Sequence, residues 1–365
     1  MMIIALVIIW VIFSIITGGN FLSSRNISNL FKQSVFTSIL AIGMVSVIIL
    51  GEIDLSVGSI VGLAGGITAI FDVWNGFNPI FTILITLAIG AAIGIWHGWW
   101  VNNGVPSFVV TLGGLLIYRG ILIGITRGTT IGPLSSTFKT LGKDYLPNWF
   151  GIVLGVVASI FVVYSILNSR RNKKKYNFEV PSLGIDVLKI LVFIGLITLF
   201  VYELNDYRGM PIAFLVLLFA LLFFSYTTRN TVFGRSIYAI GGNKNAAKLS
   251  GINIKKSTLM VFMINGIMAA LAGIILTSRL NAASVQSGDG AELDAIAACV
   301  IGGASLSGGI GTVSGAVIGA IVMASLDNGM SLMNMPMFWQ SIIKGLVLIV
   351  AVWIDIATKK RAKMA

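Results

Sequence analysis

Long apolar segments alternate with short polar ones along almost the whole chain. Twelve apolar stretches can be marked, and most approach the roughly twenty residues that a helix needs to cross a bilayer. They occupy residues 2–17, 32–50, 53–71, 79–101, 106–126, 150–168, 187–203, 210–227, 256–278, 292–306, 308–328 and 336–357. This pattern predicts an all-α fold, a polytopic transmembrane helical bundle with about ten crossings.

Two of these stretches, 53–71 and 292–306, differ from the others. Glycine, serine and carboxylate residues interrupt each of them, and the second is short. We therefore expect broken or re-entrant helices there, which leaves the number of crossings at about ten or about twelve. The first stretch, 2–17, has no basic start and no small-residue cleavage site, which favours a retained helix over a signal peptide.

Composition excludes several classes of protein. Of the 365 residues, 56% are hydrophobic and 10% are charged, whereas a soluble chain carries about 25% charge. The 42 glycines suit helices that approach one another closely in lipid. The single cysteine, Cys299, and the single histidine, His97, exclude a disulfide framework and a Cys/His zinc site, and they leave at most one His97-dependent catalytic triad.

The net charge of +12 is concentrated in three basic clusters between apolar stretches, which does not suit nucleic acid. The clusters are Arg170, Arg171, Lys173, Lys174 and Lys175; Arg229, Arg235, Lys244, Lys248, Lys255 and Lys256; and Lys359, Lys360, Arg361 and Lys363. An even number of stretches separates each pair of clusters, so all three can share one side of the membrane. The positive-inside rule makes that side the cytoplasm, and counting back places the N- and C-termini there too.

The chain as a whole, 1–365, is expected to form one transmembrane domain with two cytoplasmic polar segments. The longer segment, 228–256, contains a predicted short helix that Asn243 can cap and Gly251 can end. The other segment, 169–180, carries a charge run without an apolar face, which predicts a solvated basic linker.

Carboxylates in the broken stretches are the first candidates for chemistry. Glu52 and Asp54 lie in the break LGEIDLSVGS, and charged groups at membrane depth cost several kcal/mol unless a partner or pathway needs them. A cavity or helix cap and a simple turn at the membrane surface both remain open. The second break, IGGASLSGGIGTVSG, lacks P-loop spacing, so we expect no ATP binding by this chain. A sharp reversal around Ser307-Gly308-Gly309 that packs helices is favoured over substrate contact there.

Other polar residues lie near the ends of the stretches and could line a route for a polar solute such as a sugar. With the two breaks they form a candidate translocation pathway: Glu52, Asp54, Ser56, Asn102, Asn103, Arg119, Glu292, Asp294, Ser305, Asp327 and Asn328. Interfacial anchoring or helix bonding is the alternative for any one of them. His97 lies in IWHGWW beside three tryptophans, so we expect it to pack in an aromatic belt rather than relay protons or bind metal.

A faint internal repeat aligns residues 51–58 with 302–309. A proline and an aromatic residue follow later in both, Pro106 with Phe108 and Pro336 with Phe338. Transporters often contain such repeats, with the pathway at their interface. Chance similarity between two glycine-rich runs explains the same match, and the sequence leaves both interpretations open.

Four runs of sequence carry a resemblance to a known family. They are GEIDLSVGSIVGL (51–63), PSFVVTLGGLLIYRGILIGITRGTTI (106–131), FGRSIYAIGGNKNAAKLSGI (233–252) and ELDAIAACVIGGASLSGGIGTVSGAVIGAIVMASLDNGM (292–330). The chain resembles the membrane permeases of bacterial ATP-binding cassette importers for ribose, xylose and related sugars. Within that family it looks most similar to the xylose-type or multiple-sugar permeases.

The resemblance implies a non-catalytic permease subunit, without cofactor, that imports a monosaccharide across the bacterial inner membrane by alternating access. It implies cytoplasmic ATPase subunits, an outer sugar-binding protein and a second permease copy, most simply in a homodimer, within membrane lipid. It also implies a coupling element for the ATPase, formed by Phe233, Gly234, Arg235, Asn243, Asn245, Ala246, Ala247 and Gly251. An ion-coupled secondary transporter or channel is the alternative, and a membrane enzyme lacks a catalytic constellation.

Overall fold

The computed structural model describes residues 2–364, with side chains throughout except at 354 and 358–364. Fifteen α-helices make up the described part of the chain. They are α1 (Met2–Ile16), α2 (Ser24–Leu50), α3 (Val57–Ala69), α4 (Pro79–Asn102), α5 (Ser107–Thr126), α6 (Ser136–Lys143), α7 (Asn148–Lys175), α8 (Leu183–Tyr207), α9 (Ile212–Asn230), α10 (Val232–Gly242), α11 (Lys244–Leu249), α12 (Ile254–Leu280), α13 (Ala291–Ile301), α14 (Val313–Leu332) and α15 (Met337–Met364). A π-helical turn, Ile70–Trp74, prolongs α3.

The predicted all-α transmembrane bundle is confirmed. Ten helical segments in the described residues are long and apolar enough to cross a membrane. Each of the twelve apolar stretches corresponds to one helix, and α1 and α13 are the two that are too short to be counted among those ten. The three helices that the apolar pattern does not mark, α6, α10 and α11, are short and lie at the ends of the bundle.

Helices α2 and α12 form the centre of the bundle, since most of their residues are buried. Small residues bring α4 against α12: a Cβ added to Gly90 would lie 2.5 Å from the carbonyl oxygen of Gly266 and 2.6 Å from the Cβ of Ala270. Helices packed this closely gain van der Waals contact, which is the attraction available between helices in lipid. Glycine residues therefore allow this close packing of helices in the core.

The bundle has two distinct ends. At one end, which we call the α10 end, Tyr238 contacts Gly311 and the Asn102 side chain donates to the carbonyl oxygen of Lys255. At the opposite end, which we call the α6 end, Ile131 pairs with Ala283, on the loop after α12. Basic segment 228–256 lies at the α10 end.

The two breaks predicted from the sequence, now residues 51–56 and 302–312, contact each other. The amide of Gly309 donates across 2.8 Å to the carbonyl oxygen of Ile49 at the end of α2. Gly308 and Gly309 have φ values of +83° and +75°, which glycine adopts readily, and they form the reversal predicted around this position. The breaks therefore join α2, α3, α13 and α14 at one place.

Segment 169–180 differs from its prediction as a solvated linker. Helix α7 continues to Lys175, so the basic run forms its last two turns, and only the residues after it are non-helical. Basic side chains in the last turn are favourable because they offset the partial negative charge at a helix C-terminus. The third basic cluster, Lys359, Lys360, Arg361 and Lys363, lies outside the residues whose side chains are described.

Candidate functional site

The segment predicted as a coupling element forms two short helices, α10 and α11. The Thr231 hydroxyl accepts from the amide of Gly234 at 3.3 Å and caps α10. Asn243 caps α11 as predicted, since its Oδ1 accepts from the amide of Ala246 at 3.0 Å. Gly251, with φ of +80°, lies in the turn that follows α11.

One face of this segment packs on the bundle and the other is exposed. Ala247 and Gly234 are buried and Phe233 packs against the core, whereas Arg235, Asn245 and Ala246 are exposed. Leu249, at the last position of α11, is 90% exposed. Leu249 therefore presents an apolar side chain at the exposed tip of α11. The sequence does not single out Leu249, because a leucine after a basic residue carries no signal of its own.

Helices α10 and α11 together contact both breaks. The Tyr238 hydroxyl donates to the carbonyl oxygen of Gly311 at 2.6 Å, and burial raises the pKa of Tyr238, so the hydroxyl keeps its proton. Gly241 packs against the backbone of Ile49 and Gly309 without room for a side chain. Lys244 lies 3.8 Å from the carboxylate of Glu52. A displacement of α10 therefore reaches the ends of α2 and α13 and the start of α14.

Hydroxyl groups of α5 satisfy the backbone of the first break. Ser107 donates its hydroxyl to Glu52 at 2.7 Å and accepts from the amide of Ile53 at 3.3 Å. The amide of Leu55 donates to the Thr111 hydroxyl at 3.1 Å. Backbone amides inside a bilayer need such internal partners, so α5 holds the break in its extended form.

Asp54 is the centre of a buried polar cluster. Its side chain is 1% exposed and accepts from the amide and hydroxyl of Ser56, at 2.9 and 2.6 Å, and from the amide group of Asn265 at 2.8 Å. The Nδ1 atom of His97 lies 3.8 Å from the same carboxylate. Asp54 therefore bonds to Ser56, the residue before α3, and its carboxylate is buried, whereas a turn at the membrane surface would leave it solvated.

The prediction that His97 packs in an aromatic belt was wrong. His97 is fully buried, and its Nε2 atom lies 2.9 Å from the Tyr118 hydroxyl. The exposed residues of IWHGWW are its three tryptophans, Trp96, Trp99 and Trp100, together with Ile95. Helical spacing could have revealed this, because His97 follows Gly90 and Gly94 on the face of α4 that packs against α12.

Arg119 holds the loop after α12 at the α6 end. It donates to the carbonyl oxygens of Val285 and Ser287, at 2.5 and 3.1 Å, and forms an ion pair with Asp289 at 2.5 Å. Glu292 lies close below this loop, with its carboxylate against Gly58 of α3. Arg119 and Glu292 thus lie at a junction of α3, α5 and α13.

A second charged group joins α13, α14 and α15. The ammonium group of Lys344 lies 3.0 Å from Asp294 and 2.9 Å from Asp327. Beside it is a cleft of about 180 Å³, lined among others by Asp289, Asp294, Ser341, Lys344 and Gly345. The sequence indicates both aspartates but not Lys344, because Lys344 lies within an apolar stretch, fifty residues from Asp294.

The remaining predicted pathway residues form hydrogen bonds outside these charged groups. Asn328 and Asn26 exchange two hydrogen bonds, of 2.8 and 3.0 Å, between α14 and α2. Asn103 donates to the carbonyl oxygen of Trp99 at 2.9 Å, and Ser305 is buried and accepts from the amide of Ser307 at 3.1 Å. The eleven predicted residues are thus divided between the α10 end, the buried cluster and the α6 end.

Comparison with known proteins gives one family. The protein-family model described as "branched-chain amino acid transport system / permease component" matches residues 26–352. The chain is 53% identical over 361 residues to the xylose transport system permease protein XylH of Haemophilus influenzae, covering 99% of this chain and 96% of that protein. It is 51% identical over 366 residues to XylH of Escherichia coli K12, with 99% and 92% covered.

A more distant relative carries a different sugar in its name. The chain is 35% identical over 339 residues to the ribose import permease protein RbsC of Escherichia coli K12, covering 92% of this chain and 87% of that protein. No solved structure matches the chain.

Proposed function

The chain belongs to the family of transport-system permease components that matches residues 26–352, and we propose that it is the permease subunit of an ATP-driven xylose importer. It is a multi-pass protein of the bacterial inner membrane and acts without enzymatic chemistry of its own. The observation that carries the proposal is the identity of more than half of all residues, over nearly the full length, to two xylose permeases.

Energy enters at the α10 end, which faces the cytoplasm according to the positive-inside rule. A cytoplasmic ATPase subunit docks on the exposed face of α10 and α11, with Leu249 inserted in its surface. The caps at Thr231 and Asn243 support this role because they keep both helices rigid. A sugar-binding protein delivers its cargo at the α6 end.

Movement of α10 changes the packing at the two breaks. Tyr238 and Gly241 connect α10 to the 302–312 segment and to the end of α2. Because the breaks interrupt the helices there, α3 and α14 can tilt relative to α2 without the breaking of internal helical hydrogen bonds. Rigid-body rocking of this kind alternates the side from which a cavity opens.

The sugar passes beside Lys344 and Asp294. Their cleft of about 180 Å³ offers carboxylate, ammonium and hydroxyl groups that can exchange hydrogen bonds with sugar hydroxyls. Charged groups on an open lateral face are costly in lipid. A second copy of the chain, in a homodimer, covers this face and completes the pathway between the two α13–α15 surfaces.

An ion-coupled secondary transporter is the alternative that the sequence left open. The buried pair of Asp54 and His97 is the feature that would suit it. The Asp54 carboxylate is already engaged by Ser56 and Asn265, however, and family membership does not favour ion coupling.

The decisive experiment reconstitutes the chain in proteoliposomes with its ATPase and a xylose-binding protein. We expect uptake of labelled xylose only with ATP on the ATPase side, and an imposed proton gradient should not replace ATP. Uptake driven by the gradient alone would refute the proposal.

A further inference from the structure

The hairpin of α7 and α8 lies at the edge of the bundle. Only 11% of the most apolar 18-residue segment of each helix is buried inside the bundle. Large side chains such as Ile160 and Phe161 of α7 and Leu191 of α8 are exposed along the hairpin. The outer surface of the hairpin is therefore in contact with lipid, and its polar residues meet their partners at that surface.

The last two turns of α7 lie at headgroup depth. Helix α7 has 28 residues, and about twenty residues cross the hydrocarbon core of a bilayer. Helix α9 starts next to the end of α8 at the α6 end and leads into α10. The other end of the α7–α8 hairpin, where α7 finishes, therefore lies at the α10 end, and the surplus residues of α7 extend beyond the core there. The surplus is the basic run 170–175.

Most charges of this run are free to meet an anion. Arg170 is engaged within the hairpin, because it pairs with Asp186 of α8 at 2.5 Å and donates to the carbonyl oxygen of Pro181 at 3.0 Å. The other four, Arg171, Lys173, Lys174 and Lys175, are exposed. No carboxylate in the described part of the chain lies within 4 Å of their charged nitrogens.

A polar face continues from these charges toward the membrane interior. One face of α7 and the residue just after the helix line an open cavity of about 830 Å³: Ser165, Asn168, Ser169, Asn172, Lys173 and Tyr176. Hydroxyl and amide groups on a lipid-facing helix are unfavourable unless they bond to something there. Positive-inside topology explains lysines at this end but not these deeper donors. The exposed Phe178 lies on the rim, and Glu179 is the one carboxylate of the lining.

We infer that this cavity holds the headgroup of an anionic phospholipid. The phosphodiester lies against Lys173, Asn172 and Ser169, and one acyl chain follows α7 past Ser165. Tyr176 and Phe178 flank the headgroup as interfacial aromatic residues. Basic residues just cytoplasmic of a transmembrane helix attract anionic lipids, and this hairpin adds neutral donors that contact one molecule. The inference is independent of the transported sugar.

The test measures lipid retention by the purified full-length chain with native mass spectrometry. Phosphatidylglycerol, cardiolipin and phosphatidylcholine are titrated against the parent and against K173Q/K174Q/K175Q. Each lysine near an anionic lipid contributes about fivefold in affinity, so affinity for the two anionic lipids should fall about 100-fold in the triple variant. The variant K248Q/K255Q/K256Q removes the same charge from the same end of the bundle and should change retention less than twofold.

Other outcomes would overturn the inference. Equal losses in the two triple variants would make the effect one of net charge, and equal retention of phosphatidylcholine and phosphatidylglycerol would exclude headgroup recognition. Displacement of bound lipid by free glycerol phosphate at lipid-equivalent concentration would indicate a site for soluble phosphate. Unchanged affinity of K173Q/K174Q/K175Q for both anionic lipids would show that the basic turn is not a lipid site. Asn172→Leu supplies a second variant without a charge change, and it should weaken lipid binding at unchanged thermal stability.

Discussion

Tyr238 of α10 donates a hydrogen bond of 2.6 Å to the carbonyl oxygen of Gly311, in the segment between α13 and α14. This bond links a helix at the end of the bundle to a glycine-rich turn that also contacts the end of α2. It is therefore a direct connection between the proposed ATPase-docking helices and the transmembrane breaks.

Tyr238→Phe should weaken coupling without unfolding the protein. One hydrogen bond contributes about 0.5–1.5 kcal/mol, so stimulation of ATPase activity by the loaded binding protein should fall about twofold to tenfold. Basal ATPase activity of the assembled complex should stay the same. Tyr226→Phe is the matched control, because Tyr226 is exposed on the lipid side of α9. Full stimulation in Tyr238→Phe would show that this bond transmits nothing.

Leu249→Ala should weaken association with the ATPase subunit. The leucine is exposed in the isolated chain, so its truncation should not change the thermal stability of the permease. At an interface, loss of its buried carbons costs about 2 kcal/mol, which raises Kd roughly 30-fold. Leu222→Ala, on the exposed face of α9, is the control and should leave Kd unchanged. An unaltered Kd for Leu249→Ala would place the ATPase elsewhere.

Sequence patterns predicted the bundle well because helices in lipid are defined locally. Apolar length marked every helix that is buried or spans the membrane, and the cap at Asn243 predicted α11 to within a residue. The sequence does not define partners across the bundle. The sequence neighbours of His97 predict an aromatic belt, yet its environment comes from Asp54 in the break before α3, from Tyr118 of α5 and from Phe262 of α12. Lys344 reaches its two aspartates only when α15 packs beside α13 and α14.

The same limit explains the basic run of α7. A sequence of five cations without an apolar face is typical of a solvated linker, and its helicity follows from continuation of a long apolar helix. Nucleation is the costly step in helix formation, so an existing helix extends into polar residues at little cost. A prediction from the composition of the segment alone leaves out this extension of the preceding helix.

Asp54→Asn should destabilise the junction of α3, α4 and α12. The carboxylate accepts three hydrogen bonds from Ser56 and Asn265, and an asparagine would direct one NH₂ group toward these donors. Hydrogen bonds to charged groups contribute about 1.5–3 kcal/mol, so the unfolding temperature in detergent should fall by several degrees. Asp206→Asn is the control, since Asp206 is exposed and accepts a hydrogen bond from the Ser24 hydroxyl at the surface. Equal unfolding temperatures for parent and Asp54→Asn would contradict a structural role for the buried carboxylate.

Gly345→Leu should block sugar passage while leaving the fold intact. Gly345 lines the cleft beside Lys344, and a Cβ added to it would meet no atom within 4 Å, so a larger side chain can enter the open space. Glycine in a helix interior is less favourable than alanine by about 0.8–1.0 kcal/mol, and leucine is close to alanine, so thermal stability should not fall.

The measurement for Gly345→Leu is ATP-dependent xylose uptake in proteoliposomes beside the ATPase rate of the same preparation. We expect uptake to fall at least tenfold while ATPase activity continues, because the obstruction lies in the pathway and far from α10. Gly195→Leu on the outer face of α8, where an added Cβ also meets nothing, controls for the larger side chain and should transport normally. Normal uptake in Gly345→Leu would exclude the α13–α15 cleft from the route. Loss of sugar transport together with loss of dimerisation would show that this face is the contact between two copies and would not support passage of the sugar through the cleft.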